Sequence, residues 1–399
     1  MTTTAAVSIL RGWLTSPEHQ ATEAGPRHLA EEPHVSDRSA IVVGGGIMGS
    51  STARALVHDG WDVTLLEQGP LPNPHASSGG VHRLIRSTYG AMQGYTNLVV
   101  DGYAAWGRLW DDLGQTLMTH TGMLAVDTAA SSFGADSADC LDALGLPYER
   151  LDADAVRARY PQFVVPDGAT SIYTNDGHFL RAGAIVAALA GWLRDAGANV
   201  HEHTPVRDVD LDAGTVVTAD NRTRSADLVI VAAGPWTTRL VPELEADLTP
   251  SRQVVLDVVP PPHLAEAWSR GPAFLLPPMY GIPPRDELPL KISDHAFSMT
   301  GDPADDRTPQ ASQIREILEV AGEALVDIDQ YELLEARTCF YTVRDEERFL
   351  VAPRGDRGVV LGGFSGHGFK FGALIGEMVA MAIADPSSWP AITARTAGR

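Results

Sequence analysis

Residues 39–67 read SAIVVGGGIMGSSTARALVHDGWDVTLLE, and the architecture of the chain hangs on this stretch. AIVV, residues 40–43, is an unbroken apolar run of the kind a strand buried on both faces requires. Gly44, Gly46 and Gly49 follow it in GxGxxG spacing. In that pattern the first glycine permits a tight turn, the second lets backbone N–H groups approach a pyrophosphate, and the third lets a helix pack closely on the strand. Residues 50–59 read as the helix and WDVTLLE, residues 61–67, as the next strand. The unit is therefore β-α-β, with a helix amino terminus turned toward phosphate. Glu67 closes the second strand, where a carboxylate can accept hydrogen bonds from a ribose diol and would repel a 2′-phosphate. A glycine turn without a ligand has no need of strand, turn, helix and acid in register.

Outside this unit, residues 1–37 mix Thr, Glu, Pro and His around one apolar patch, Val7 to Leu14, and read as a peripheral arm. MLAVD (123–127), TSIYT (170–174) and RQVVLDVV (252–259) look like strands of a separate sheet. Residues 182–196 carry apolar side chains at helical spacing. DLVIVAAGPW (227–236) is a strand ending in Ala233 and Gly234; returning after an insertion, it completes the parallel sheet and makes the nucleotide domain discontinuous. Residues 358–384 give a strand, a glycine-rich turn and a helix, but no second strand ending in an acid follows. One bound dinucleotide is expected.

The 399 residues, 44% of them apolar, suffice for two domains sharing a cleft. A formal net charge of -21 argues against nucleic acid and anionic membrane partners and leaves small molecules. No apolar run approaches the roughly 20 residues of a membrane helix, and the start lacks the pattern of a signal peptide. Cys140 and Cys339 form no disulfide framework and no zinc spacing, which fits a reducing cytoplasm.

GGGIMG (44–49), HRLIRSTYG (82–90), the Lys291 and His295 pair of KISDH, CFYT (339–342) and GFSGHGFKF (363–371) together resemble the monomeric sarcosine oxidase branch of the D-amino-acid oxidase-like flavoproteins, which includes N-methyltryptophan and pipecolate oxidases. The resemblance covers nearly everything after residue 38. It implies an α/β two-domain flavoprotein, with a Rossmann-like FAD-binding domain interleaved with a mixed or antiparallel-sheet substrate domain. The expected FAD domain takes residues 38–116, 172–243 and 340–399; the substrate domain takes 117–171 and 244–339; residues 1–37 form an N-terminal extension. The implied activity is oxidation of a secondary or cyclic amine or amino acid to an imine, with molecular oxygen as acceptor and hydrogen peroxide as by-product.

By the same resemblance Cys339 forms a thioether to the flavin 8α-methyl, chemistry that needs a thiolate nucleophile. Cys140, on an expected helix, is given no role. Lys291 matches the lysine near flavin N5 whose fixed charge favours oxygen reduction, and His295 matches an active-site histidine that contacts substrate or tunes the flavin. Arg83 contacts the flavin, while Arg86 and Lys370 grip the substrate carboxylate; the two arginines would be neighbours on a helix. Tyr341 matches a substrate-side tyrosine and Tyr280 another more loosely. Val206, Ala233, Gly234 and Gly366 complete the implied cofactor contacts, and Lys370 also faces the flavin pyrimidine. The chain departs from the family pattern at SSGGVHR (77–83), where Gly79 replaces a histidine and His82 a small hydroxyl, so a differently shaped substrate is expected. A dehydrogenase using a quinone or carrier, a nicotinamide dehydrogenase, and a noncatalytic nucleotide-binding protein remain open as alternatives.

Overall fold

Strand Ser39–Val43 pairs in parallel with Asp62–Leu66, Ala40 opposite Val63 and Val43 opposite Leu66, in a computed structural model that describes residues 38–128 and 131–399. The helix between them spans Ile47–His58, three residues earlier than its sequence suggests, because the extended Gly46 serves as N-cap and draws Gly49 into the first turn. Leu228–Val231 pairs in parallel on the other side of Ser39–Val43, as expected of a returning strand. The complete sheet runs Leu350–Arg354, Gly358–Gly362, Leu228–Val231, Ser39–Val43, Asp62–Leu66, Asn199–His201, with only the first of these antiparallel to its neighbour. Helices Ile47–His58 and Gly372–Ala384 cover one face and approach closely at Gly376, where a Cβ would lie 2.5 Å from the Ser51 backbone. Val42, Leu56, Leu65 and Ile375 are fully buried between sheet and helices. Each such side chain stabilises the fold by about 1.5–3 kcal/mol through removal from water.

The second sheet has eight strands in the order Glu332–Val343, Thr249–Val259, Leu290–Asp294, Met279–Ile282, Ala273–Leu276, Met123–Asp127, Thr170–Thr174, Glu149–Asp152. MLAVD, TSIYT and RQVVLDVV thus do share one sheet, separate from the first. Its core is built on Leu256, Trp268, Phe274 and Ile292. Strand pairing sets Gln253 opposite Cys339 and Asp257 opposite Lys291, which brings distant polar residues to one region of the sheet. The expected junctions at 171/172 and 339/340 each fall inside a strand of this sheet, Thr170–Thr174 and Glu332–Val343. A ladder of backbone hydrogen bonds ties each of those strands to this sheet along its whole length, so both expected junctions would cut a paired strand.

The segment carrying the two arginines is not helical. Arg83–Ile85 is a strand, antiparallel to His178–Leu180, which in turn pairs with Met118–His120. Arg86 follows directly after the strand, so the two arginines are not neighbours on a helix face, although both line one cavity. No helix among the described residues is long and apolar enough to cross a membrane. The arm at residues 1–37 lies outside the described residues.

Candidate active site

The glycine turn forms a bare backbone cradle at the carboxyl ends of the parallel strands. Gly44 adopts φ +106°, and a Cβ there would meet Ala232 O at 2.4 Å. One on Gly46 would lie 3.1 Å from Ser78 Oγ. Gly49 serves packing instead, since its Cβ would fall 1.9 Å from Gly44 O. The helix that follows has no side-chain cap, and its dipole favours an anion at that end. Glu67, only 4% exposed, is fixed in the wall. Its Oε2 accepts from Gly45 N at 2.8 Å, and its Oε1 accepts from Gly69 N at 2.9 Å and Asn73 Nδ2 at 2.8 Å. A carboxylate has about four acceptor positions, so capacity remains for a ribose hydroxyl. Gly44, Gly46, Glu67, Val206, Ala233 and Gly234 all line one cavity of about 330 Å³. This set suits the pyrophosphate and ribose of FAD.

A second cavity, about 460 Å³, adjoins the first. Ala76, Arg83, Tyr341, Gly366 and Phe369 line both. Gly366, at φ +79°, is tolerated there only without a side chain, because a Cβ would strike the Tyr341 ring at 2.4 Å. The eight-stranded sheet contributes Tyr280, Lys291, Cys339 and Tyr341; the two tyrosine hydroxyls stand 3.5 Å apart. Arg86 enters from the end of the short strand, Lys370 from the glycine-rich turn, and His295 from the far side. Apart from Gly49 and the fully buried His82, every residue singled out from sequence for this site lines one cavity or the other. Cys339 is half-buried, with Phe340 O at 3.9 Å as a weak partner. Cys140 is buried in helix Phe133–Leu144, its thiol donating to Gly90 O at 3.2 Å.

Burial governs the charges in this second cavity. Lys291 is 4% exposed and donates one long hydrogen bond, 3.4 Å, to His82 O. Desolvation first, and then Arg83, push its ammonium down to about 7, although Cys339 and Asp257 act the other way. Lys370 donates to Tyr89 OH at 2.9 Å and to His367 O at 3.3 Å; burial, aided by Arg86, drives it well below the usual lysine range. Arg86 stacks on Tyr89 and Phe133 at 4.8 and 5.3 Å, and its Nη1 is shut off from solvent without a hydrogen-bond partner. Among the described residues neither Arg86 nor Lys370 forms an ion pair. His295 is half-exposed at the rim, with Nε2 3.7 Å from Glu347 Oε2.

Several residues of the site carry no signal in the sequence. Asp257 and Arg337 form an ion pair beside Lys291, joined only by the pairing of strands eighty residues apart. Tyr89 and His367 lie within the motifs that marked the site but carried no assigned role, and Glu347 follows the CFYT segment closely. His82 is fully buried edge-on to Phe179, with neither ring nitrogen hydrogen-bonded; desolvation and then Lys291 hold it neutral. No group of three or more His, Cys, Asp or Glu among the described residues could hold a metal ion.

A Rossmann cradle opening into a cation-lined cavity walled by a second sheet defines a two-domain, dinucleotide-dependent oxidoreductase. The chain belongs to the DAO family of FAD dependent oxidoreductases, which it matches over residues 39–382. N-methyl-L-tryptophan oxidase of Yersinia pestis (strain Pestoides F) is 28% identical over 363 residues, covering 88% of this chain and 96% of that protein. Among solved structures, NikD, an unusual amino acid oxidase essential for nikkomycin biosynthesis, superposes with a TM-score of 0.76 at 22% identity, covering 90% of this chain and 97% of that one. L-proline dehydrogenase from P. horikoshii gives 0.75 at 17% identity, over 88% and 94%. The last two likenesses establish the fold.

Proposed function

We propose that the protein oxidises a carboxylated secondary or cyclic amine to an imine, with oxygen as final acceptor. The observation that carries this reading is the pair Arg86 and Lys370: a half-buried arginine whose Nη1 is shut off from solvent without a hydrogen-bond partner and a buried lysine, neither with a carboxylate partner, facing a cavity continuous with the nucleotide cradle. An amino acid carboxylate would meet both through charge-assisted hydrogen bonds. The curated relative named for N-methyl-L-tryptophan, itself a carboxylated secondary amine, supports the same class.

Gly44, Gly46, Glu67, Val206, Ala233 and Gly234, with Arg83 and Gly366 where the cavities meet, would hold FAD, which would supply the two-electron acceptor for the C–H bond beside nitrogen and let oxygen take up the electrons as hydrogen peroxide. Cys339 is read as the covalent attachment. Arg86 and Lys370 orient the substrate; Tyr280, Tyr341, Leu275 and Ile282 keep water from the reacting carbon. Lys291 places positive charge where oxygen gains negative charge, and Asp257 and Arg337 behind it set how that charge is held. His295 contacts substrate from the rim. Gly79 and His82 shape a pocket unlike that of sarcosine oxidase, and the two free cysteines suit a reducing cytoplasm.

The test is aerobic turnover across N-methyl amino acids, proline and pipecolate analogues, with peroxide measured against amine consumed. Equal amounts are expected. Arg86→Ala should raise KM about 10–150-fold, the value of hydrogen bonds to a charged group, with a smaller effect on kcat. Lys291→Met should slow the oxygen step by about 10²–10³-fold. Amine-driven dye reduction without peroxide would transfer the activity to a non-oxygen acceptor. A coloured protein that consumes no carboxylated amine overturns the proposal.

A further inference from the structure

We propose that Lys370 takes a proton from the substrate's ammonium group and passes it along Tyr89, His367 and Glu347 to His295 at the cavity rim. The proposal rests on the reading of the substrate as a carboxylated amine. In neutral water such a substrate is a zwitterion, and its nitrogen lone pair is engaged by a proton. The C–H bond beside that nitrogen is activated only when the lone pair is free. A proton must therefore leave a cavity whose lining contains one carboxylate, that of Glu347.

The inner side chains are joined by hydrogen bonds and the outer ones stand within 4 Å of one another, gaps that a small side-chain movement would close. Lys370 Nζ donates to Tyr89 OH at 2.9 Å, and the Tyr89 hydroxyl donates to His367 Nδ1 at 3.2 Å. That leaves the His367 proton on Nε2, which points at Glu347, 3.3 Å from its carbonyl and 3.9 Å from Oε2. Oε2 is in turn 3.7 Å from His295 Nε2. The inner groups are buried and the outer ones open to solvent: Lys370 is 5% exposed, Tyr89 2% and His367 8%, whereas the side chains of Glu347 and His295 reach 29% and 44%. Glu346 and Glu347 both hold left-handed backbone, φ 49° and 55°. Non-glycine residues persist there only when their surroundings fix them, and here the effect is to hold Glu347 in the cavity wall.

In the first step an N–H bond of the substrate ammonium breaks, its electron pair stays on the substrate nitrogen, and a new N–H bond forms at Lys370 Nζ. One unit of positive charge moves to a lysine that faces the substrate carboxylate. In the second step Lys370 protonates the Tyr89 oxygen as the Tyr89 proton moves to His367 Nδ1. The Nε2 proton of His367 then passes to Glu347 and on to His295 or solvent. No electrons change owner. The groups around Lys370 favour this order: Arg86 disfavours its charged form, Glu347 favours it, Tyr89 accepts its hydrogen bond, and Trp106 Nε1 fixes its backbone by donating to Lys370 O at 2.7 Å. Burial and Arg86 hold the empty-site lysine toward its neutral form, able to accept. Burial likewise keeps Tyr89 protonated and His367 uncharged, so the path exchanges protons without storing charge.

The holoenzyme, its visible spectrum and a pH-indicator dye give the test. Phenylacetate, a carboxylate without an amine, should bind and draw about one proton from solution as Lys370 becomes charged. Tyr89→Phe retains the ring contacts with Arg86, Tyr95 and Phe371 and loses only the hydroxyl. In that variant the uptake should reach the same extent on the order of 10²-fold more slowly, the range of a positioned acid–base group. Anaerobic bleaching by the amine should slow at low pH and recover where the amine arrives unprotonated. Glu347→Gln, at the open end of the path, should reproduce the slow phase if Tyr89→Phe fails to fold. Binding without proton uptake, or wild-type rates in the variants, overturns the proton path alone; a spectrum that phenylacetate does not perturb overturns the carboxylate site and the path with it.

Discussion

Two cysteines in one chain sit in opposite surroundings. The Cys140 thiol is buried on a helix and spends its proton on Gly90 O. Cys339 is half-buried and lines the cavity that also holds Lys291, Tyr280 and Tyr341. A thiolate is a far better nucleophile toward an electron-poor methyl carbon than a serine hydroxyl, so the tether proposed at Cys339 depends on the sulfur. Acid-denatured wild-type protein is therefore expected to stay yellow, with the added mass on the peptide containing residue 339. Cys339→Ser should fold and release its colour into the supernatant, while Cys140→Ser should keep it. Wild-type protein that loses its colour on precipitation would overturn the attachment.

At the scale of elements, the β-α-β unit is legible in sequence because every signal within it is local. A buried apolar run, three glycines and an acid lie within one short stretch, and strand pairing then has little freedom. The Arg83–Ile85 strand is the opposite case: it exists through pairing with His178–Leu180, far along the chain, and the spacing of Arg83 and the following Arg86 suits a helix equally well. The cradle itself can be tested at Gly44. An alanine Cβ there would meet the Ala232 carbonyl at 2.4 Å, against backbone that cannot swing aside, and at φ +106° it would be strained by about 1–3 kcal/mol as well. Gly44→Ala is expected to lower both the melting temperature and the flavin content, read as the ratio of visible to ultraviolet absorbance. Full flavin loading at unchanged stability would show that the turn is not the cradle.

For the molecule as a whole, a chain with net charge -21 folds so that Arg83, Arg86, Lys291, Arg337 and Lys370 converge on one interior cavity. Composition conceals this, and so does local pattern, because Asp257, Arg337 and Glu347 acquire their positions from sheet pairing and loop placement between distant segments. Concentrating cations inside an acidic protein focuses field on a carboxylate ligand, at a cost in stability that depends on pH. Lys291 falls from an ordinary value of 10.5 to about 7 in the folded chain. Between those values the unfolded chain holds more protons than the folded one, so stability rises as pH climbs through that window. Below about 7 both states are protonated and the burial penalty is complete, on the order of 5 kcal/mol at about 1.4 kcal/mol per unit. Lys291→Met removes the charge, so its stability gain over wild type should be largest near pH 6, smaller at pH 8 and nearly absent above 10.5. Urea unfolding of the two proteins across that range gives the measurement; parallel stability curves would mean that Lys291 is not held near neutrality by its burial.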